Sequence, residues 1–112
     1  WVWLERLSNE LASACRNGDS VVLACSALKQ SYRDRLLSAA PLAHIVWLHG
    51  DESLLRQRLR QRQGHFMPSA LLTSQLETLE VPAGAYRMDV AQLPEKIVCR
   101  LLLFLSLCAN GN

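Results

Sequence analysis

The stretch "AHIVWLHGDESLLRQRLRQR", Ala43 to Arg62, decides the class of fold. Its first part, Ala43–Leu48, is a nearly continuous apolar run the length of one strand. An apolar run without polar alternation marks a strand covered on both faces, as in parallel sheets. "HGD" then turns the chain, and Asp51 is a natural N-cap. From Glu52 the period changes, with Leu54, Leu55 and Leu59 on one side of a helix that reaches about Arg62. A buried strand, a tight turn and an amphipathic helix in succession are the unit from which α/β domains are built.

Working outward, the same alternation recurs. Trp1 to Asn17 carries Leu4, Leu7, Leu11 and Cys15 at helical spacing, and Asn17-Gly18 is a sound stop because glycine accepts the left-handed cap. "SVVLAC", Ser20–Cys25, reads as a second short buried strand. Ser26 can cap a helix running to about Ala40, with Leu28, Tyr32 and Leu36 as its buried seam and Pro41 closing it. After Gly64, Pro68 fits the first turn of a helix to Leu79. Tyr86–Val90 reads as a short third strand, and Pro94 opens a last helix to about Cys108.

The chain has 112 residues, the size of one domain, with 50% hydrophobic and 20% charged residues. A net charge of +2 argues against a dedicated nucleic-acid binder. The first segment carries Glu5, Arg6, Glu10 and Arg16 and does not read as a signal peptide. The apolar run Ile97–Ala109, interrupted by Arg100 and Ser106, is shorter than the ~20 residues of a spanning helix. Cys15, Cys25, Cys99 and Cys108 form no C-x-x-C pair and read as reduced, largely buried thiols of a cytoplasmic protein. No pair of histidines has metal spacing, so no metal ligands are assigned.

Several polar residues fall where leucines should. On the helix from Glu52, with Leu55 at zero, Leu54 lies near −100° and Leu59 near +40°, at about 100° per residue. Arg58 and Arg62 fall near −60° and −20°, inside that arc, whereas Arg56 and Arg60 face away. Gln75 likewise sits within the stripe of Leu71, Leu72, Leu76 and Leu79. A buried guanidinium persists when something satisfies it, and a phosphate matches its planar fork. Two plainer readings stand beside this one: arginine stems can snorkel past the edge of a core, and Gln75 can bond neighbouring backbone.

A second group, Ser26, Lys29 and Arg33, lies where a strand ends and a helix begins, the usual place for ligands in open α/β sheets. Two cations and a hydroxyl suit a polyhydroxy acid; a capping serine and two solvated cations, Arg33 beside Asp34, explain the pattern equally well. His65, after Gly64, reads as a loop histidine.

Together "ACSALK", "YRDRL", "LHGDESLLRQRLRQRQGHFMP" and "SQLETLE" resemble the bacterial-type gluconokinase family, which is similar in fold to shikimate and nucleoside monophosphate kinases. The resemblance runs from Trp3-Leu4 to the Pro94 region. It implies ATP-dependent phosphorylation of D-gluconate to 6-phospho-D-gluconate, with Mg²⁺, in a protein that is often a homodimer. It also implies a mobile lid over ATP, about residues 56–80, with Arg58 and Arg62 touching the transferred phosphoryl group and His65 on the nucleotide side. Ser26, Lys29 and Arg33 would bind gluconate.

The family pattern begins with a strand, a G-x-x-x-x-G-K-[ST] loop and a helix, and no such loop occurs in these 112 residues. That loop cradles the phosphates and holds Mg²⁺, so the chain as given is expected to be an incomplete enzyme, inactive alone. The expected fold is a P-loop kinase-like three-layer α/β fragment whose parallel sheet lacks its central first strand. Loss of that strand should leave apolar surface or backbone groups unpaired. Leu76 stands where the family usually has phenylalanine, and "LLLFLSLCANGN" is more uniformly apolar than a closing helix should be. A non-catalytic remnant, acting as a sugar-acid-binding or protein-interaction module, is the alternative. An RNA-binding arginine helix is disfavoured by the low charge and the lack of an aromatic platform.

Overall fold

The computed structural model describes residues 2–62 and 68–110. Five helices and two strands follow in the order α1 (Val2–Asn17), α2 (Gln30–Ala39), β1 (Val46–His49), α3 (Glu52–Gln61), α4 (Ser69–Thr78), β2 (Tyr86–Asp89) and α5 (Pro94–Asn110). The chain forms two compact units, Trp1–His44 with Ala70–Ala83, and Ile45–Ser69 with Gly84–Asn112.

In the first unit α1 packs on α2. Leu4 of α1 and Leu36 and Ala40 of α2 are buried, as is Leu72 of α4. Ser8, also buried, keeps α1 narrow at its inner face, although its hydroxyl finds no hydrogen-bond partner. Trp3 meets Tyr32 edge-on at 5.7 Å, and Arg35 grips the Glu5 carboxylate with two bonds of 2.9 and 3.0 Å.

The end of α1 follows its sequence. The Gly18 amide donates to the Cys15 carbonyl at 3.2 Å and the Asp19 amide to the Ala14 carbonyl at 2.9 Å, the paired bonds of a Schellman cap. Such a cap requires a left-handed residue at its turn, and Gly18 has φ 74°.

Two expectations fail just beyond this cap. Ser20–Cys25 is not a strand, and Val22 is 97% exposed. A strand is stable only when a neighbour takes its amides and carbonyls. Among the described residues the sheet has two members, β1 and β2, and neither is this segment. Val21 is exposed as well. The second failure concerns α2, which begins at Gln30 and not after Ser26. Ala27 has φ 30°, outside the helical range, and Lys29 is extended, so no helix can run through them.

The second unit holds the sheet. β1 and β2 run parallel in the register Val46↔Tyr86, Trp47↔Arg87, Leu48↔Met88 and His49↔Asp89. The ladder extends at both ends, from the Tyr86 amide to the Ile45 carbonyl at 2.9 Å and from the Val90 amide to the His49 carbonyl at 2.8 Å. Met88 is buried and Tyr86 stacks on Phe104 of α5 at 4.0 Å, so the sheet face bearing these residues meets α5. On the other face Arg87 lies over the Trp47 ring at 4.8 Å, and Trp47 leans on His49.

Gly50 makes the turn from β1 into α3; a Cβ there would come within 2.5 Å of Val90 Cγ2. Asp51 occupies the N-cap position in extended conformation, as its sequence indicates, but its side chain makes no capping bond. Pro94 opens α5 as expected. The outer surface of α5 is apolar, with Val98, Leu102, Leu103 and Leu107 exposed. No helix among the described residues is long and apolar enough to cross a membrane. All four cysteines are free and exposed, which corrects their reading as largely buried thiols. The environment of the Cys25 sulfur still pushes its pKa up by desolvation, partly offset by a hydrogen bond with the Ala27 backbone.

Candidate functional site

The most densely bonded part of the first unit surrounds Ala27–Arg33 and Glu80. The Glu80 amide donates to the Leu28 carbonyl at 2.8 Å. The Gln30 amide, first in α2, donates to Glu80 Oε1 at 2.7 Å. A carboxylate fifty positions along the chain thus caps this helix, where Lys29 provides no side-chain cap. The negative charge also complements the positive end of the helix dipole.

Arg33 closes the arrangement from inside. It is only 4% exposed. Its Nη1 donates to the Ala27 carbonyl at 2.9 Å and the Leu28 carbonyl at 3.5 Å. Its Nη2 donates to the Glu80 carbonyl at 2.6 Å and to Gln30 Oε1 at 3.2 Å, and Nε donates to the same Gln30 oxygen at 3.4 Å. A guanidinium has five N–H groups, and here each has an acceptor. Arg33 is therefore not a solvated cation: its donors meet the chain's own oxygens. Sequence reading missed Glu80 and Gln30. The only signal was that "YRDRL" and "SQLETLE" both carry the resemblance.

Ser26 and Lys29, the other two residues of this group, are exposed beside the bonded turn. Lys29 Nζ stands 6.0 Å from the centre of the Tyr32 ring. A hydroxyl and an ammonium on a fixed turn can take a polyhydroxy carboxylate, the ammonium offsetting its charge and the hydroxyl bonding a hydroxyl.

The lid arginines are placed differently from expectation. Arg58 and Arg62 are exposed, not turned into an interior. The helical angles are sound, but α3 has no buried residue, and Leu54, Leu55 and Leu59 are themselves half-exposed. Arg56, expected to face solvent, is the more covered, with its guanidinium 3.1 Å from Glu52 Oε1 one turn earlier. Gln75 is half-buried on α4. His65 lies outside the described residues.

The described residues do not by themselves complete a site for ATP and its metal. Arg33 is saturated, Arg58 and Arg62 face solvent, and no three His, Cys, Asp or Glu among the described residues could hold a metal ion. With no phosphate loop in the 112 residues, the phosphoryl-transfer chemistry cannot be derived from these side chains.

Comparison with known proteins places the chain. The AAA domain family matches residues 2–82. With its parallel strands and flanking helices, the chain is a P-loop kinase-like α/β protein. Within that class it belongs to the gluconokinase family.

It is 45% identical over 91 residues to the thermosensitive gluconokinase of Escherichia coli (strain K12), covering 81% of this chain and 48% of that protein. It is 44% identical over 80 residues to a gluconokinase of Gluconobacter oxydans (strain 621H), covering 71% of this chain and 45% of the relative. A crystal structure of a gluconokinase from Sinorhizobium meliloti 1021 superposes with a TM-score of 0.84 at 46% identity, over 99% of this chain and 63% of that one. An unliganded sugar kinase from Janibacter sp. HTCC2649 gives 0.85 at 38% identity, over 95% and 63%. The chain thus spans about half the length of the curated relatives it matches.

Proposed function

We propose that this chain is the gluconate-binding and lid-bearing part of an enzyme that phosphorylates D-gluconate to 6-phospho-D-gluconate with ATP and Mg²⁺. The observation that carries this reading is the 46% identity to a gluconokinase along nearly the whole chain. The bonding of "ACSALK…YRD" to the end of "SQLETLE" supports it, because two motifs far apart in sequence together shape one turn. On this turn Lys29 holds the gluconate carboxylate and Ser26 a hydroxyl. Residues 56–80 form the lid, with Arg58 and Arg62 meeting the transferred phosphoryl group on closure and His65 on the nucleotide side. Arg33 is removed from the ligand set. The enzyme is cytoplasmic and pairs as a homodimer.

The test is direct. The 112-residue chain should bind D-gluconate in a calorimetric titration, and Lys29→Ala should abolish the heat. The same chain, given ATP and Mg²⁺, should turn over no gluconate. Absence of binding by the parent chain sinks the site assignment; robust turnover sinks the division of labour.

A further inference from the structure

We infer that Arg33 and Glu80 are positioning residues for gluconate, setting the turn from which Ser26 and Lys29 reach it. The inference rests on the assignment of that turn as the gluconate site.

The turn cannot hold itself. Ala27 sits at φ 30°, where a residue with a Cβ is strained, and Lys29 is extended with no cap of its own. The Ala27 conformation is not a preferred local state, so contacts from elsewhere must select it. Those contacts come from two residues. Arg33 holds the carbonyls of Ala27 and Leu28 from within. Glu80 bonds both sides of Lys29: its amide takes the Leu28 carbonyl and its carboxylate takes the Gln30 amide. Arg33 then ties the Glu80 carbonyl to the same cluster at 2.6 Å. Lys29 is the single residue between the two Glu80 bonds, so the direction of its backbone follows Glu80. Ser26 directly precedes the Ala27 carbonyl that Arg33 holds.

Arg33 has no spare group for the ligand. Arg33 is buried with its donors taken, and the described bonds of Glu80 go to the turn. Both act through Ser26 and Lys29, which are free to face a polyhydroxy acid. The carboxyl end of "SQLETLE" is thereby assigned to the sugar-acid side of the molecule and not to the lid alone.

The experiment measures the D-gluconate dissociation constant and the urea midpoint of the 112-residue chain and of five variants, Lys29→Ala among them. Glu80→Ala removes the cap and should raise the dissociation constant about fivefold or more, the factor that corresponds to one lost N-cap contact. Arg33→Lys keeps the charge but cannot span three carbonyls, and should do the same. Glu80→Gln retains a side-chain oxygen for the Gln30 amide and should bind within about twofold of the parent. Arg35→Ala, on the same helix as Arg33, breaks the ion pair to Glu5 of α1, and should lower stability without moving gluconate affinity.

If Lys29→Ala loses binding while Glu80→Ala and Arg33→Lys keep the parent affinity, the positioning role is overturned and the site survives. If Arg35→Ala weakens binding as much as Glu80→Ala does, the effect is general destabilisation and the role is again overturned. A parent chain that binds no gluconate overturns the site itself.

Discussion

Replacing Gly50 by alanine should destabilise the sheet-bearing unit through one contact. The new Cβ would lie 2.5 Å from Val90 Cγ2, with Leu54 and Leu55 methyls at ordinary distances of 3.7 and 3.9 Å. Carbon atoms settle at about 3.5–4.0 Å, so Val90 or the turn must yield by about 1 Å. Valine is stiff at χ1, and Val90 is pinned through its amide on the His49 carbonyl, so it cannot swing aside freely.

Overpacking of this kind costs about 1–3 kcal/mol. Gly50 is not in the left-handed region, so alanine also narrows the unfolded ensemble, a gain of about 0.4–1 kcal/mol. The net expectation is a loss of about 1–2 kcal/mol. Urea unfolding of the parent, Gly50→Ala, Val90→Ala and the double variant measures it. The double variant removes the clashing methyls and should be more stable than the sum of the single losses by about 1 kcal/mol. A Gly50→Ala chain as stable as the parent, or strict additivity in the cycle, would refute the steric account.

Two further outcomes are expected. Hydrogen bonding to Arg35, with the attraction of its charge, holds the Glu5 carboxyl below the ordinary carboxylate range despite some desolvation. A lowered folded pKa means that this bond stabilises fully above the ordinary range and is lost as pH falls through the depressed value. The parent midpoint should therefore drop more steeply in that acid window than that of Glu5→Gln, and equal slopes would discard the pair as a source of stability. For the lid, in a protein where a phosphate-binding loop precedes this sequence, Arg62→Ala should lower turnover by about a hundredfold and Arg60→Ala by less than about threefold. Equal losses would return both arginines to ordinary solvated positions.

Elements bounded by local chemistry were legible in the sequence. Gly18, Gly50, Asp51 and Pro94 each mark a real boundary, because caps and turns are decided within a few residues. Val46–His49 and Tyr86–Asp89 form strands because each has the other as its partner. Ser20–Cys25 shows the limit: an apolar run records a capacity for burial and carries no information about whether a neighbour exists. Arg58 and Arg62 show a second limit. Helical arithmetic places them beside the leucines, but it cannot say that α3 leaves that face half-open. The bonded turn was hidden for a third reason. Arg33 and Glu80 lie 47 positions apart, and no periodicity links a helix interior to a residue beyond another helix.

That separation has a consequence for synthesis on the ribosome. The first turn of α2 emerges early, yet the carboxylate that caps it lies fifty residues later. At about 5–20 residues per second, the nascent chain must wait roughly 3–10 s before that carboxylate is made. During this interval the first turn of α2 lacks its cap. Capping of α2 is thus timed by translation of "SQLETLE", and a pause in the codons between would lengthen the wait.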